Sequence, residues 1–161
     1  MDLSKLSTGD KVIGVSGILL LIFSFFPWLG FSFGSVSESR SAWTFTLCWL
    51  AVILGVALVV FVVLKMQGVD LPSLGSITWN QVALGIAVVA ALFILIKIIT
   101  GPGTNGVDIS GTGIDKERKI GIFLGFLASL GLVAGAFLNV KDADELPKRS
   151  TGDTPPAPPA A

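Results

Sequence analysis

The chain has 161 residues, of which 52% are hydrophobic and only 14% charged, against roughly 25% charged in soluble domains. Eleven Lys and Arg balance eleven Asp and Glu, and no surface interleaves basic with aromatic residues, so nothing points to a nucleic-acid partner. A mean hydropathy of +0.83 places the chain among integral membrane proteins, and its single cysteine, Cys48, excludes an intrachain disulfide.

A hydrocarbon core of about 30 Å takes about 20 apolar residues in a helix. Four runs reach that length: residues 12–30, 43–64, 79–100 and 120–140. Each is expected to be helical, because a lone strand in lipid leaves its backbone N–H and C=O groups unpaired. The expected fold is an all-α integral membrane protein: a four-transmembrane-helix bundle over residues 1–140, followed by a disordered tail over 141–161 that is charged and then Pro/Ala-rich.

Ahead of the first run, Ser7 or Thr8 followed by Gly9 and Asp10 marks a helix start, with a hydroxyl cap and an acid near the positive end of the dipole. Lys5 and Lys11 before an apolar core also suit a signal peptide, but the run is long for one and no small-x-small cleavage site follows Pro27 and Trp28. A retained span is the better reading. Trp28, Trp43 and Trp79 stand at run ends and are read as interface anchors, the ring in the acyl boundary and the N–H among headgroups. A substrate-binding aromatic cluster is the sharper alternative. Residues 31–42 form a serine-rich loop with Glu38 and Arg40, and residues 65–78, with Gly68, Pro72 and Gly75, a turn-rich connector.

The third run carries one charge, Lys97, three residues from its end. At 1.5 Å per residue that is about 4–5 Å from the boundary, a distance its stem can cover to put the ammonium among headgroups. Lys97 is therefore read as an interface anchor. A lysine serving a transport path would stand nearer the midplane opposite an acidic partner, and no Asp or Glu falls within any of the runs. The next loop contains GPGTNGVDISGTG, which lacks both the G-x-x-x-x-G-K-[ST] order of a phosphate-binding loop and the regular acidic spacing of a calcium loop. It is read as a hairpin connector.

In the fourth run Gly121, Ala128 and Gly135 recur every seven residues, with Gly125, Ser129, Gly131 and Ala136 on the same side and Leu132 interrupting them. The first run repeats the pattern with Gly14, Gly17 and Ser24. Lipid tails are as apolar as leucine, so membrane helices associate through close packing, and small residues mark where. Gly121, Gly125, Ala128, Gly135, Gly14 and Gly17 are the expected helix-packing residues, within one chain or along a homo-oligomeric seam.

The order LSTGDK, FFPWLG, AWTF and GIFLGFLASLGLVAGAFL resembles a group of small, uncharacterised four-span membrane proteins of actinobacteria, over roughly residues 6–140. The resemblance implies the plasma membrane of such an organism and carries over no catalytic or ligand-binding residue.

With no histidine or tyrosine and no Ser or Cys beside a base, the usual acid–base and nucleophilic constellations cannot be assembled within the membrane, and His/Cys metal sites are excluded by count. No catalytic, cofactor-binding or metal site is expected. The partners expected are the lipid bilayer and a second membrane protein or a second copy of the chain. With both termini cytoplasmic, the inner segments hold six Lys and Arg and the outer five, a weak positive-inside bias. The function expected is non-enzymatic, an accessory or scaffolding component of the cell envelope; the alternative is a subunit of a small oligomeric transporter or channel.

Overall fold

A computed structural model of the protein describes residues 6–69, 72, 74–101 and 114–143. The tail beyond 143 and most of the glycine-rich third loop, the subjects of two expectations above, lie outside the described residues. The chain is mostly helical: α1 (Thr8–Phe23), α2 (Thr46–Met66), α3 (Trp79–Thr100) and α4 (Ile120–Asp142). Three short strands accompany them, β1 (Pro27–Phe33), β2 (Val36–Ser41) and β3 (Ile114–Arg118), with a 3₁₀ turn at Ala42–Thr44.

Local chemistry explains the helix ends. Ser7 caps α1: the Asp10 backbone N–H donates to Ser7 Oγ, and the Ser7 N–H donates back to the Asp10 carboxylate. Thr78 and Gln81 repeat this capping box at the start of α3. At its other end α3 stops at Gly101, whose φ of +68° is reached without strain only by glycine.

Helices α2, α3 and α4, with 21, 22 and 23 residues, are long and apolar enough to cross a membrane. The first run behaves differently, and the expectation of one helix over residues 12–30 is corrected. Helix α1 has 16 residues, about 24 Å at 1.5 Å per residue, short of a 30 Å core. It ends because the Phe25 and Phe26 N–H groups turn inward onto Ile22 and Phe23 carbonyls, and because Pro27 has no N–H with which to continue. The chain then extends as β1.

The argument that every apolar run must be helical assumed a strand without partners. Strand β1 has two. It is the middle strand of the sheet β2-β1-β3 and is antiparallel to both neighbours, with Leu29 opposite Arg40 on one side and Arg118 on the other. Its backbone groups are thereby paired across both edges. Gly34, at a φ of +59°, turns β1 into β2.

Each helix packs on its sequence neighbours, and α1 also packs on α4, which closes a ring. The pairings run antiparallel: Ile13 of α1 lies beside Gly135 of α4, Phe61 of α2 beside Trp79 of α3, and Phe45 before α2 beside Lys97 of α3. The core contains Ile13, Leu20, Val52, Leu58, Ile94, Ile122 and Leu132. All three strands therefore sit at the end opposite the start of α1 and the close of α4.

Candidate functional site

The strongest polar constellation lies at the end where α1 begins. Asp10, in the first turn of α1, is only 2% exposed. Lys65 Nζ, from the last turn of α2, reaches its Oδ1 at 2.9 Å and its Oδ2 at 3.1 Å. Asn139 Nδ2, from the end of α4, donates to Oδ1 at 2.7 Å, and Ser7 Oγ donates to Asn139 Oδ1. The ammonium also sits 5.6 Å from the Phe61 ring centroid. One carboxylate thus joins three helices, and its lone pairs are occupied by an ammonium, an amide and the Ser7 backbone N–H. A buried charge persists only when paired and hydrogen-bonded in this way. Glycine makes the approach possible: a Cβ on Gly9 would collide with Asn139 and with the Gly135 carbonyl.

The acid of this cluster lies ahead of the apolar run, in the helix start that Ser7, Gly9 and Asp10 mark. Helix α1 starts at Thr8, four positions before the apolar run, and so carries Asp10 inside it. The Ser7-x-x-Asp10 spacing signalled the cap, but nothing local signalled Lys65, 55 positions away, or Asn139, 129 positions away.

The opposite end holds the N-terminal part of the small-residue face and two of the three tryptophans read as anchors. Trp28 is corrected outright: it is fully buried, with its Nε1–H donating to the Phe23 carbonyl at 2.7 Å. Its ring lies on α4 where Gly121 and Gly125 leave room; a Cβ on Gly125 would stand 2.6 Å from Trp28 Cη2, and one on Gly121 2.6 Å from Cδ1. The N-terminal part of the α4 stripe is thus a seat for an indole. Its C-terminal part receives α1, with Gly135 against the Gly9 carbonyl and Ile13. Ala128 is buried between these two regions. Gly17 faces Gly55 and Val59 of α2, whereas Gly14, expected to pack, has open space around it.

Trp43 is exposed, and its indole donates to Ser24 Oγ at 3.1 Å. Trp79 lies at the other end of the bundle, at the start of α3, and donates to the Pro72 carbonyl at 2.8 Å. Lys97 is half-buried, its Nζ 5.3 Å from the Phe45 ring centroid and 3.5 Å from the Gly101 carbonyl. It lines a groove of about 530 Å³ together with Phe31, Arg40, Thr44, Phe45 and Thr46. Two carbonyls in the last turn of α3, those of Ile98 and Ile99, accept from Arg118.

On β3, Glu117 accepts from Lys119 and, at 2.9 Å, from Ser32 Oγ. The Lys119 hydrogen bond first, then that of Ser32, holds its carboxyl below the usual carboxylate range. Among the described residues no three His, Cys, Asp or Glu side chains are grouped to hold a metal ion. Compared with known proteins, the chain matches no protein-family model and no curated protein sequence.

Proposed function

We propose that this is a plasma-membrane protein that crosses the bilayer four times, with both termini cytoplasmic, and that it serves as a non-enzymatic accessory or scaffolding component of the cell envelope. Helix α1 shares the membrane depth of its longer neighbours because it packs antiparallel between α2 and α4. It also turns Val15, Ile18, Leu19 and Ile22 outward. Its shortness is compensated by residues 24–30, which lead into the sheet at the boundary.

The observation that carries the scaffolding reading is the sheet. Strand β2 is an edge strand whose residues Val36–Arg40 are all exposed, and it is held on a bundle with satisfied polar contacts. An exposed edge is a template for a partner's backbone. A photo-crosslinking residue at Ser39 is expected to capture a discrete protein partner in cells, and the same residue at lipid-facing Val60 none. Equal capture from both positions, or none from Ser39, removes the reading.

Topology is tested separately by cysteines introduced at Ser37 and Ser150. Opposite accessibility to a membrane-impermeant reagent in intact cells is expected, and equal labelling contradicts the four crossings. The transporter alternative draws on the buried Asp10–Lys65 pair, since ionisable groups among membrane helices often mark a transport path. It requires solute or ion flux in proteoliposomes that Lys65→Met abolishes.

A further inference from the structure

Among the described residues the groove at Lys97 differs from four other cavities, three almost wholly apolar and one on the strand surface. Its wall combines two cations, Lys97 and Arg40, two hydroxyl residues, Thr44 and Thr46, and two aromatic rings, Phe31 and Phe45. Among the described residues no carboxylate lies within ion-pair distance of Lys97. Among the described residues it donates one hydrogen bond, to the Gly101 carbonyl at 3.5 Å, so the three-donor ammonium keeps donors to spare. Arg40 shares its guanidinium with Glu38 on the exposed strand, and the remaining N–H groups of a five-donor fork stay open to a second acceptor.

The groove also opens beside the start of α2, where the N-cap is Phe45, a side chain that accepts nothing from the first-turn N–H groups. That helix end adds positive potential to the same space. A volume of about 530 Å³ falls within the roughly 300–1,000 Å³ of small-molecule sites. Between the same two helices the wall is apolar: Ile53 of α2 is exposed, and a cavity farther from the sheet is lined by Val60 and Phe61 of α2 and Val82 and Ile86 of α3.

We propose that this groove binds the phosphate of a membrane lipid headgroup, with Lys97 and Arg40 pairing the phosphate oxygens, Thr44 and Thr46 donating hydroxyl hydrogen bonds, and the acyl chains lying along α2 and α3. Two cations with neighbouring hydroxyl donors suit the oxygens of such a headgroup through charge-assisted hydrogen bonds. The lysine then has a wet head and a specific counterion at once. A lipid, rather than a free phosphate, is the occupant because the cationic wall continues into an apolar one. The proposal rests on membrane placement of α2 and α3 and is independent of any protein partner.

The test uses the full-length protein, purified in mild detergent and titrated with phosphatidylglycerol or phosphatidylcholine, with bound lipid counted by native mass spectrometry. The parent is expected to take one phosphatidylglycerol about tenfold more tightly than phosphatidylcholine, the step that one charge-assisted pair supplies. Lys97→Met combined with Arg40→Gln is expected to erase that preference, while Lys97→Arg keeps it. Circular dichroism and melting establish that each variant is folded. If the double variant does not fold, Arg40→Gln alone, on an exposed strand, carries the comparison and is expected to lower the preference. Equal binding of the two lipids by the parent, or a preference that survives in folded variants, overturns the proposal. Displacement of phosphatidylglycerol by millimolar inorganic phosphate or glycerol phosphate overturns the lipid assignment in favour of a soluble ligand.

Discussion

At the end where α1 begins, three helices meet through side chains: one carboxylate, one ammonium, one amide and one hydroxyl, drawn from α1, α2 and α4, with the carboxylate and the amide buried. At the opposite end the tie is largely main chain. Strand β1 pairs on both edges, and a buried indole settles on glycines of α4. The contrast shows two ways to fix helices in an environment where hydrophobic burial between them is weak. Directional polar contacts specify which helices meet, whereas a sheet and a wedge specify how far apart they stand.

The side-chain end is where one substitution is expected to do most harm. Lys65→Met leaves the Asp10 carboxylate buried without its cation, and breaking a buried pair costs about 3 kcal/mol when one partner, like Lys65, is partly exposed. Thermal melting in detergent is expected to fall accordingly. Adding Asp10→Asn to Lys65→Met is expected to restore much of the loss, since no unpaired charge then remains. If the single variant melts like the parent, the cluster is not what holds that end.

Crowding probes the other end. Gly125→Leu is expected to push Trp28 from its seat at a cost of about 1–3 kcal/mol, the usual range for overpacking. Gly135→Leu meets backbone atoms of α1 within 2.9 Å and is expected to behave similarly. Gly14→Ala is the control. It has open space, and removing a helical glycine is expected to stabilise the chain by about 0.5 kcal/mol. Equal melting of Gly125→Leu and Gly14→Ala would place Trp28 elsewhere.

How far each end is legible in the sequence follows from the range of its contacts. The bounds of α3 are readable to the residue because Thr78 and Gln81 announce the start and Gly101 the stop, all within one turn of the helix. The start of α1 is readable from Ser7 and Asp10 for the same reason. The partners Lys65 and Asn139 are not, because a lysine after an apolar run and an asparagine inside one carry no mark of what they face. In the sheet, FFPWLGFSF is apolar enough for lipid, and hydropathy alone does not separate a buried strand from a span end. Pro27 and the alternation Phe31, Ser32, Phe33 were the available signals. Strand β3, IDKER, is charged and largely exposed, so it offers neither alternation nor apolarity; only its pairing with β1 makes it a strand. Trp28 misleads because an indole at a run end is equally suited to headgroups and to a glycine-lined seat on a neighbouring helix.

At the sheet end, Lys97 tests whether a charge near the boundary matters to folding. Lys97→Met extends the apolar span and Lys97→Arg keeps the charge, so both are expected to melt within about 0.5 kcal/mol of the parent. Lys97→Asp is expected to melt lower, because a short carboxylate reaches water less readily and faces the Phe45 ring. A Met variant that fails to fold would make Lys97 part of the structural frame.

The smallest effect expected concerns acid and the sheet. Glu117 links β3 to β1 through Ser32 and accepts from Lys119, and these contacts depress its carboxyl from the ordinary value of 4.5. A depressed carboxylate contributes stability that is fully present above its unfolded value and is lost as pH falls through the lower folded one. The β1–β3 pairing is therefore expected to loosen below about pH 4.5. The group is too solvated for its pair to weigh much on global melting, so the measurement is local: amide-exchange protection of Leu29 to Phe33, compared between pH 6 and pH 3. Glu117→Gln is expected to lower protection at pH 6 and to flatten its pH dependence, which separates this carboxylate from the others on the sheet. An unchanged acid dependence in Glu117→Gln would mean that the main-chain ladder holds that end without help from its side chains.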